Sequence, residues 1–174
     1  MQRWLAVLRT ALLLAPFAVA ATCLLRRLRP SRSWRRSIAE AGMIFGTLPW
    51  IWMIMTPVEV PPGTTMVHLV PLADLKYLVE TRQAVIQIGG NLAVLLALGA
   101  FAPIRWALLA TLPRVFALGA GTSFMLETVQ YALISGRVFS VDDILLNAVG
   151  CMLGGLLSRP WWHRVPGEME PVAK

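Results

Sequence analysis

The sequence predicts an all-α, polytopic transmembrane helix bundle of about five spans. Three observations carry that prediction. The chain is 57% hydrophobic, with a mean hydropathy of +0.65. Only 14% of its residues are charged, against about 25% in soluble domains. Apolar runs of spanning length recur along the chain, separated by short polar or arginine-rich stretches. At 174 residues, no separate soluble domain fits between those runs. The net charge of +7 and pI of about 10.7 do not point to nucleic acid. The arginines flank apolar runs, where topology and anionic headgroups account for them, and no basic–aromatic recognition pattern accompanies them.

Residues 5–25 form the first predicted span. Arg3, Arg9 and the following apolar core imitate a signal peptide. Six arginines (Arg26, Arg27, Arg29, Arg32, Arg35 and Arg36) follow at once, and exporting them would violate the positive-inside rule. The span therefore reads as retained, N-terminus outside, with a cytoplasmic arginine loop. Residues 38–56 form the second span, with Trp50 and Trp52 toward its far end and Pro57 at its exit. An external segment of residues 58–83 carries a Pro61-Pro62-Gly63 turn and an amphipathic helix expected from Asp74 onward. The third span is residues 84–102, the fourth 115–134 and the fifth 143–157. Trp161 and Trp162 are expected at the cytoplasmic interface. Basic residues agree with an N-out, C-in map. Eleven fall inside (Arg26, Arg27, Arg29, Arg32, Arg35, Arg36, Arg105, Arg114, Arg159, Arg164, Lys174) and four outside (Arg3, Lys76, Arg82, Arg137).

The chain divides accordingly into two N-terminal transmembrane helices with their arginine loop (1–60), a three-helix unit (61–158) and a cytoplasmic polar tail (159–174). Cys23 and Cys151 both lie in apolar runs, at no metal-ligand spacing, and read as small packing residues. His68 stands without a second ligand. No metal or cofactor is expected.

The functional signal is a set of polar residues inside the apolar runs. Asn91 interrupts the third span, Glu127 and Gln130 the fourth, Asp143 and Asn147 the fifth, with Arg137 and Asp142 in the connection between the last two. An ionisable group at mid-bilayer costs about 2.5–3.5 kcal/mol on insertion scales, and such residues mark functional sites. The direction of each helix brings all of them to one level, in the outer half. Gly119, Ser123, Glu127 and Gln130 share one helical face, and Asp143, Asn147, Gly150 and Gly154 share another. Each face is small at one end and polar at the other. Gly150 and Gly154 form a GxxxG step, and Gly119 and Ser123 a small-xxx-small counterpart. Helices four and five are therefore expected to meet on these steps and to open into a polar notch above them. A purely structural reading has Glu127 and Asp143 pairing with Arg137, and Asn91, Gln130 and Asn147 satisfying one another. Interhelical hydrogen bonds average only about 0.6 kcal/mol, so such a cluster is a weak stabilising device.

At these residues the chain resembles the VanZ-like family of small membrane proteins. Glu127-x-x-Gln130, Arg137, and Asp143-x-x-x-Asn147-x-x-Gly150-x-x-x-Gly154 follow that family's order. His68-Leu-Val-Pro71-Leu is similar to its approach segment, and Asn91, Gly99 and Pro103 to its first shared helix. The likeness spans about residues 68–157. The chain departs where the family often has Phe and Pro, carrying Leu95 and Ala97 instead, and Leu72 replaces a usual aromatic. The absent proline predicts a straighter third span. The resemblance implies resistance to teicoplanin-type lipoglycopeptides, the property of the founding member.

Three functions compete. The first is a non-catalytic cell-envelope factor in the cell membrane, with Asn91, Glu127, Gln130, Arg137, Asp143 and Asn147 binding a cell-wall precursor or lipoglycopeptide; Arg137 has the fork for phosphate or carboxylate. The second is an intramembrane enzyme on lipid-linked or peptidoglycan substrate, with Glu127 as acid/base; no Ser, Cys or His is positioned with a base to support it. The third is a small transporter, which five spans without an inverted repeat serve only as a homo-oligomer. The lipid bilayer is the partner common to all three.

Overall fold

The computed structural model describes residues 2–30, 33–80 and 84–162. The described residues form a bundle of seven α-helices. They are α1 (Gln2–Leu28), α2 (Trp34–Ile54), a short α3 (Ala73–Glu80), α4 (Ala84–Val94), α5 (Leu96–Arg105), α6 (Leu112–Leu133) and α7 (Val141–Ser158). Among the described residues, four apolar stretches are long and apolar enough to cross a membrane: Arg9–Leu28, Trp34–Ile54, Gln87–Arg105 and Val141–Trp161. The chain is a helical membrane protein. The fourth expected span, α6, has 22 residues and reaches about 33 Å at ~1.5 Å per residue. Thr122, Ser123, Glu127 and Gln130 dilute its apolar character, and it is not among the four.

The core lies where α6 and α7 meet the junction of α4 and α5, around Val94, Leu95, Val115 and Cys151, with Trp50, Leu98, Leu126 and Trp162 packed against it. Trp50, expected among the interfacial aromatics, is thus part of the interior, whereas Trp52 is exposed. Trp162 folds back and donates its indole N–H to Ser158 Oγ at 2.9 Å. By contrast, α1 packs chiefly on α2 and turns Leu12, Leu13, Phe17 and Val19 outward, the surface a lipid-facing helix needs.

Helix α7 is sandwiched, and this corrects the expected glycine packing. Gly150 and Gly154 do not face α6. A methyl on Gly150 would lie 2.0 Å from the Leu92 carbonyl oxygen, and one on Gly154 2.0 Å from that of Leu96. The GxxxG step therefore packs α7 against α4 and α5. Gly119 of α6 meets another face of α7, at Ala148 and Cys151. One face defined by helical periodicity cannot serve two neighbours, and α7 has both.

The third span is also not straight. It breaks at Leu95, whose φ of −109° and ψ of 9° separate α4 from α5. No proline is required for the break. Leu95 is fully buried, and the carbonyls of Leu92 and Leu96 on either side of it are the ones α7 touches. Packing against the α7 backbone accompanies the break where the resemblance would supply a proline.

Two further features were not anticipated. Val67 and His68 pair in parallel with Phe139 and Ser140 as a two-residue ladder (β1 and β2). The segment expected to lie as an amphipathic helix on the surface is instead tied to the start of α7. Its last residues, 81–83, fall outside those described, as does the polar tail from residue 163.

Candidate functional site

The helix directions place the polar residues at one end of the bundle. Ile54 ends α2, Gln87 and Asn91 lie in α4, Glu127 and Gln130 in the last turns of α6, and Asp143 and Asn147 in the first turns of α7. The buried face of α6 is Val115, Gly119, Ser123, Glu127 and Gln130, which extends the predicted stripe by one residue. Helix α7 begins at Val141, two residues earlier than expected, because Ser140 caps it. The Ser140 Oγ accepts the Asp142 N–H at 3.2 Å, and Asp142 and Asp143 in the first turn complement the helix dipole. Asp142 therefore belongs to the helix and not to the connection.

Asn91, Glu127, Gln130, Arg137, Asp143 and Asn147 all line a single cavity of about 190 Å³, with Gln87, Val94 and Val138 also in its wall. The end of α2, helices α4, α6 and α7, and the α6–α7 loop meet there. The partners differ from the mutual pairing considered above. Asn91 donates its amide to Asp143 Oδ1. Asn147 donates to Ser123 Oγ at 2.8 Å, so Ser123 supports the site rather than only packing. Gln130 donates to the Ile54 carbonyl at 2.6 Å. Glu127 Oε2 accepts the Ser140 N–H at 3.3 Å. Among the described residues, nothing donates to the buried Asn147 Oδ1.

Arg137 bridges to α2. Its guanidinium donates to the Thr56 carbonyl at 2.9 and 3.2 Å and to that of Met53 at 3.5 Å, satisfying carbonyls that a helix end leaves without partners. Both carboxylates lie within Coulombic reach of it. Gly136 makes this approach feasible. With φ at +76°, a methyl there would lie 1.6 Å from the Val58 carbonyl oxygen, so only glycine carries the loop so close to the end of α2.

Sequence reasoning missed an outer clasp. Ser140 Oγ donates to Asp74 Oδ2 at 2.6 Å, and His68 Nδ1 lies 2.7 Å from Asp74 Oδ1. Asp142 accepts the backbone N–H of Leu72 at 2.5 Å and of Leu75 at 3.1 Å, capping α3 from a distant part of the chain. Leu72 needs that anchor, since its φ of 66° is left-handed. The order Ser140, Asp74, His68 places the acid between hydroxyl and imidazole; in a catalytic triad the imidazole stands between the other two. Among the described residues, no three His, Cys, Asp or Glu side chains group to hold a metal. One signal for the clasp was present: Ser140-x-x-Asp143 before an apolar run is a capping-box pattern.

The VanZ/LLP1 family model matches residues 43–163. This is more than half of the chain and takes in every residue lining the polar cavity. The chain belongs to the VanZ/LLP1 family. The match begins inside α2, so the helix whose last carbonyls hold Gln130 and Arg137 is part of what the VanZ/LLP1 family shares. No curated protein and no solved structure matches the chain.

Proposed function

We propose that this VanZ/LLP1 protein is a non-catalytic cell-envelope factor of the cell membrane. Its polar cavity opens on the outer face and binds the polar end of a cell-wall precursor or lipoglycopeptide. The observation that carries the reading is the convergence of six polar side chains from α4, α6, α7 and the loop between the last two on one cavity. Groups this costly in an apolar helix are poorly explained as glue. The N-out, C-in orientation rests on the arginine-rich connection after α1, which stands at the opposite end of α2 from the cavity. Protection against teicoplanin-type lipoglycopeptides follows from the family resemblance.

The test is expression in a teicoplanin-sensitive host. The wild-type chain is expected to raise the tolerated concentration severalfold, and Glu127→Gln or Arg137→Ala to abolish the gain at equal protein level. Protection that never appears, or that survives both changes, defeats the proposal.

A further inference from the structure

The polar cavity can be read for what it offers a ligand. Three of the amide side chains in its wall each give an N–H to the protein: Asn91 to Asp143, Asn147 to Ser123, and Gln130 to the Ile54 carbonyl. Arg137 is directed at the carbonyls of Met53 and Thr56. Glu127, Asp143 and Asn147 have acceptor capacity to spare. Asn147 is 3% exposed, and its Oδ1 has no partner among the described residues. Among the described residues, Glu127 accepts only the Ser140 N–H and Asp143 only the Asn91 amide, whereas a carboxylate has about four acceptor sites. A buried carbonyl oxygen without a donor costs about 1–3 kcal/mol, which a donor-bearing ligand would recover.

Charge and size narrow the class. Glu127 and Asp143 set two carboxyl groups beside the single guanidinium of Arg137, so a bound cation is matched when both carboxyl groups ionise around it. The cavity volume of about 190 Å³ is that of roughly six waters, at ~30 Å³ each. Such a space admits a small polar head group. We infer that the group this cavity takes is a primary alkylammonium, held by Glu127, Asp143 and the free oxygen of Asn147. This rests on the proposed binding of a polar envelope component and names the part of it that enters. The amine is carried either on a lipid, as in an ethanolamine headgroup, or on a water-soluble molecule. The three N–H donors of a primary ammonium match the three acceptors, and a trimethylammonium of equal charge has none to give.

The experiment uses the full chain carrying Cys23→Ala and Val138→Cys, reconstituted in phosphatidylcholine vesicles. The buried Cys151 stays in place as a built-in control. The readout is the rate at which a small neutral thiol reagent modifies position 138, in the cavity wall. Methylammonium is expected to slow that rate at least tenfold at a concentration where tetramethylammonium changes it less than twofold. Asp143→Asn and Glu127→Gln, both near-isosteric, are each expected to remove the protection while leaving the unprotected rate in place. Replacing the lipid by phosphatidylethanolamine assigns the source: protection without added amine indicates a lipid headgroup, and protection by soluble amine alone indicates a free one. Protection by acetate or inorganic phosphate in place of methylammonium overturns the ammonium assignment and leaves a polar-ligand site standing. Protection by sodium ion equal to that by methylammonium also overturns it. If none of these ions and neither lipid protects, this inference falls; if lipoglycopeptide and cell-wall precursor also fail to protect, the binding function falls with it.

Discussion

The two ends of α7 are held in opposite ways. At Gly150 and Gly154 the backbone rests directly on the carbonyls of Leu92 and Leu96, with no room for a methyl group. At Asp143 and Asn147 the same helix is held by side chains, through Asn91 and Ser123, and the space left between the helices is the polar cavity. Small residues fix the bundle at one end. Long polar residues then keep the helices apart at the other without letting the bundle come open. Stability and binding are thereby assigned to different halves of one helix, and substitutions in the two halves separate them.

The largest effect is expected at the glycine seam. Gly154→Leu forces a side chain into the Leu96 carbonyl and is expected to cost more than about 3 kcal/mol, the upper range for overpacking, seen as loss of a cooperative thermal transition in detergent. Gly121→Leu is the control, since a Cβ there meets nothing within 4 Å, and it is expected to leave the transition in place. Next comes the clasp above the cavity. Asp142→Ala removes two hydrogen bonds to a charged acceptor, and is expected to cost about 2 kcal/mol, with faster amide exchange at Leu72 and Leu75. Leu72→Gly relieves a left-handed backbone at φ 66° and is expected to gain about 1 kcal/mol, measured in the same melt. The smallest change is expected inside the cavity. Ser123→Ala breaks the bond to Asn147 and is expected to cost only about 0.6 kcal/mol. A cost above about 2 kcal/mol there would recast the polar cluster as a stabilising device and erase the contrast between the two ends.

The cavity was legible in the sequence because its residues are out of place. Glu127, Gln130, Asp143 and Asn147 stand in apolar helices, where helical periodicity and direction bring them to a common depth. Asp74, Ser140 and Asp142 carry as much of the local structure, yet they lie in or beside a polar segment where such residues attract no attention. Periodicity also identified the α7 face bearing Gly150 and Gly154 without saying which neighbour it meets, since three-residue and four-residue spacing specify a face and not a partner. The break at Leu95 had no signature of its own. A leucine is as fit for a continuous helix as for this one, and the break accompanies packing that only the assembled bundle contains.

The central claim is that these polar side chains form one cavity opening to the outside of the cell. Its most direct measurement is the modification of Val138→Cys, in the Cys23→Ala chain, by a membrane-impermeant thiol reagent added to intact cells. The account predicts labelling before lysis, with a cationic reagent reacting several times faster than an anionic one of the same size. Labelling that appears only after lysis would put the cavity on the cytoplasmic side and contradict it.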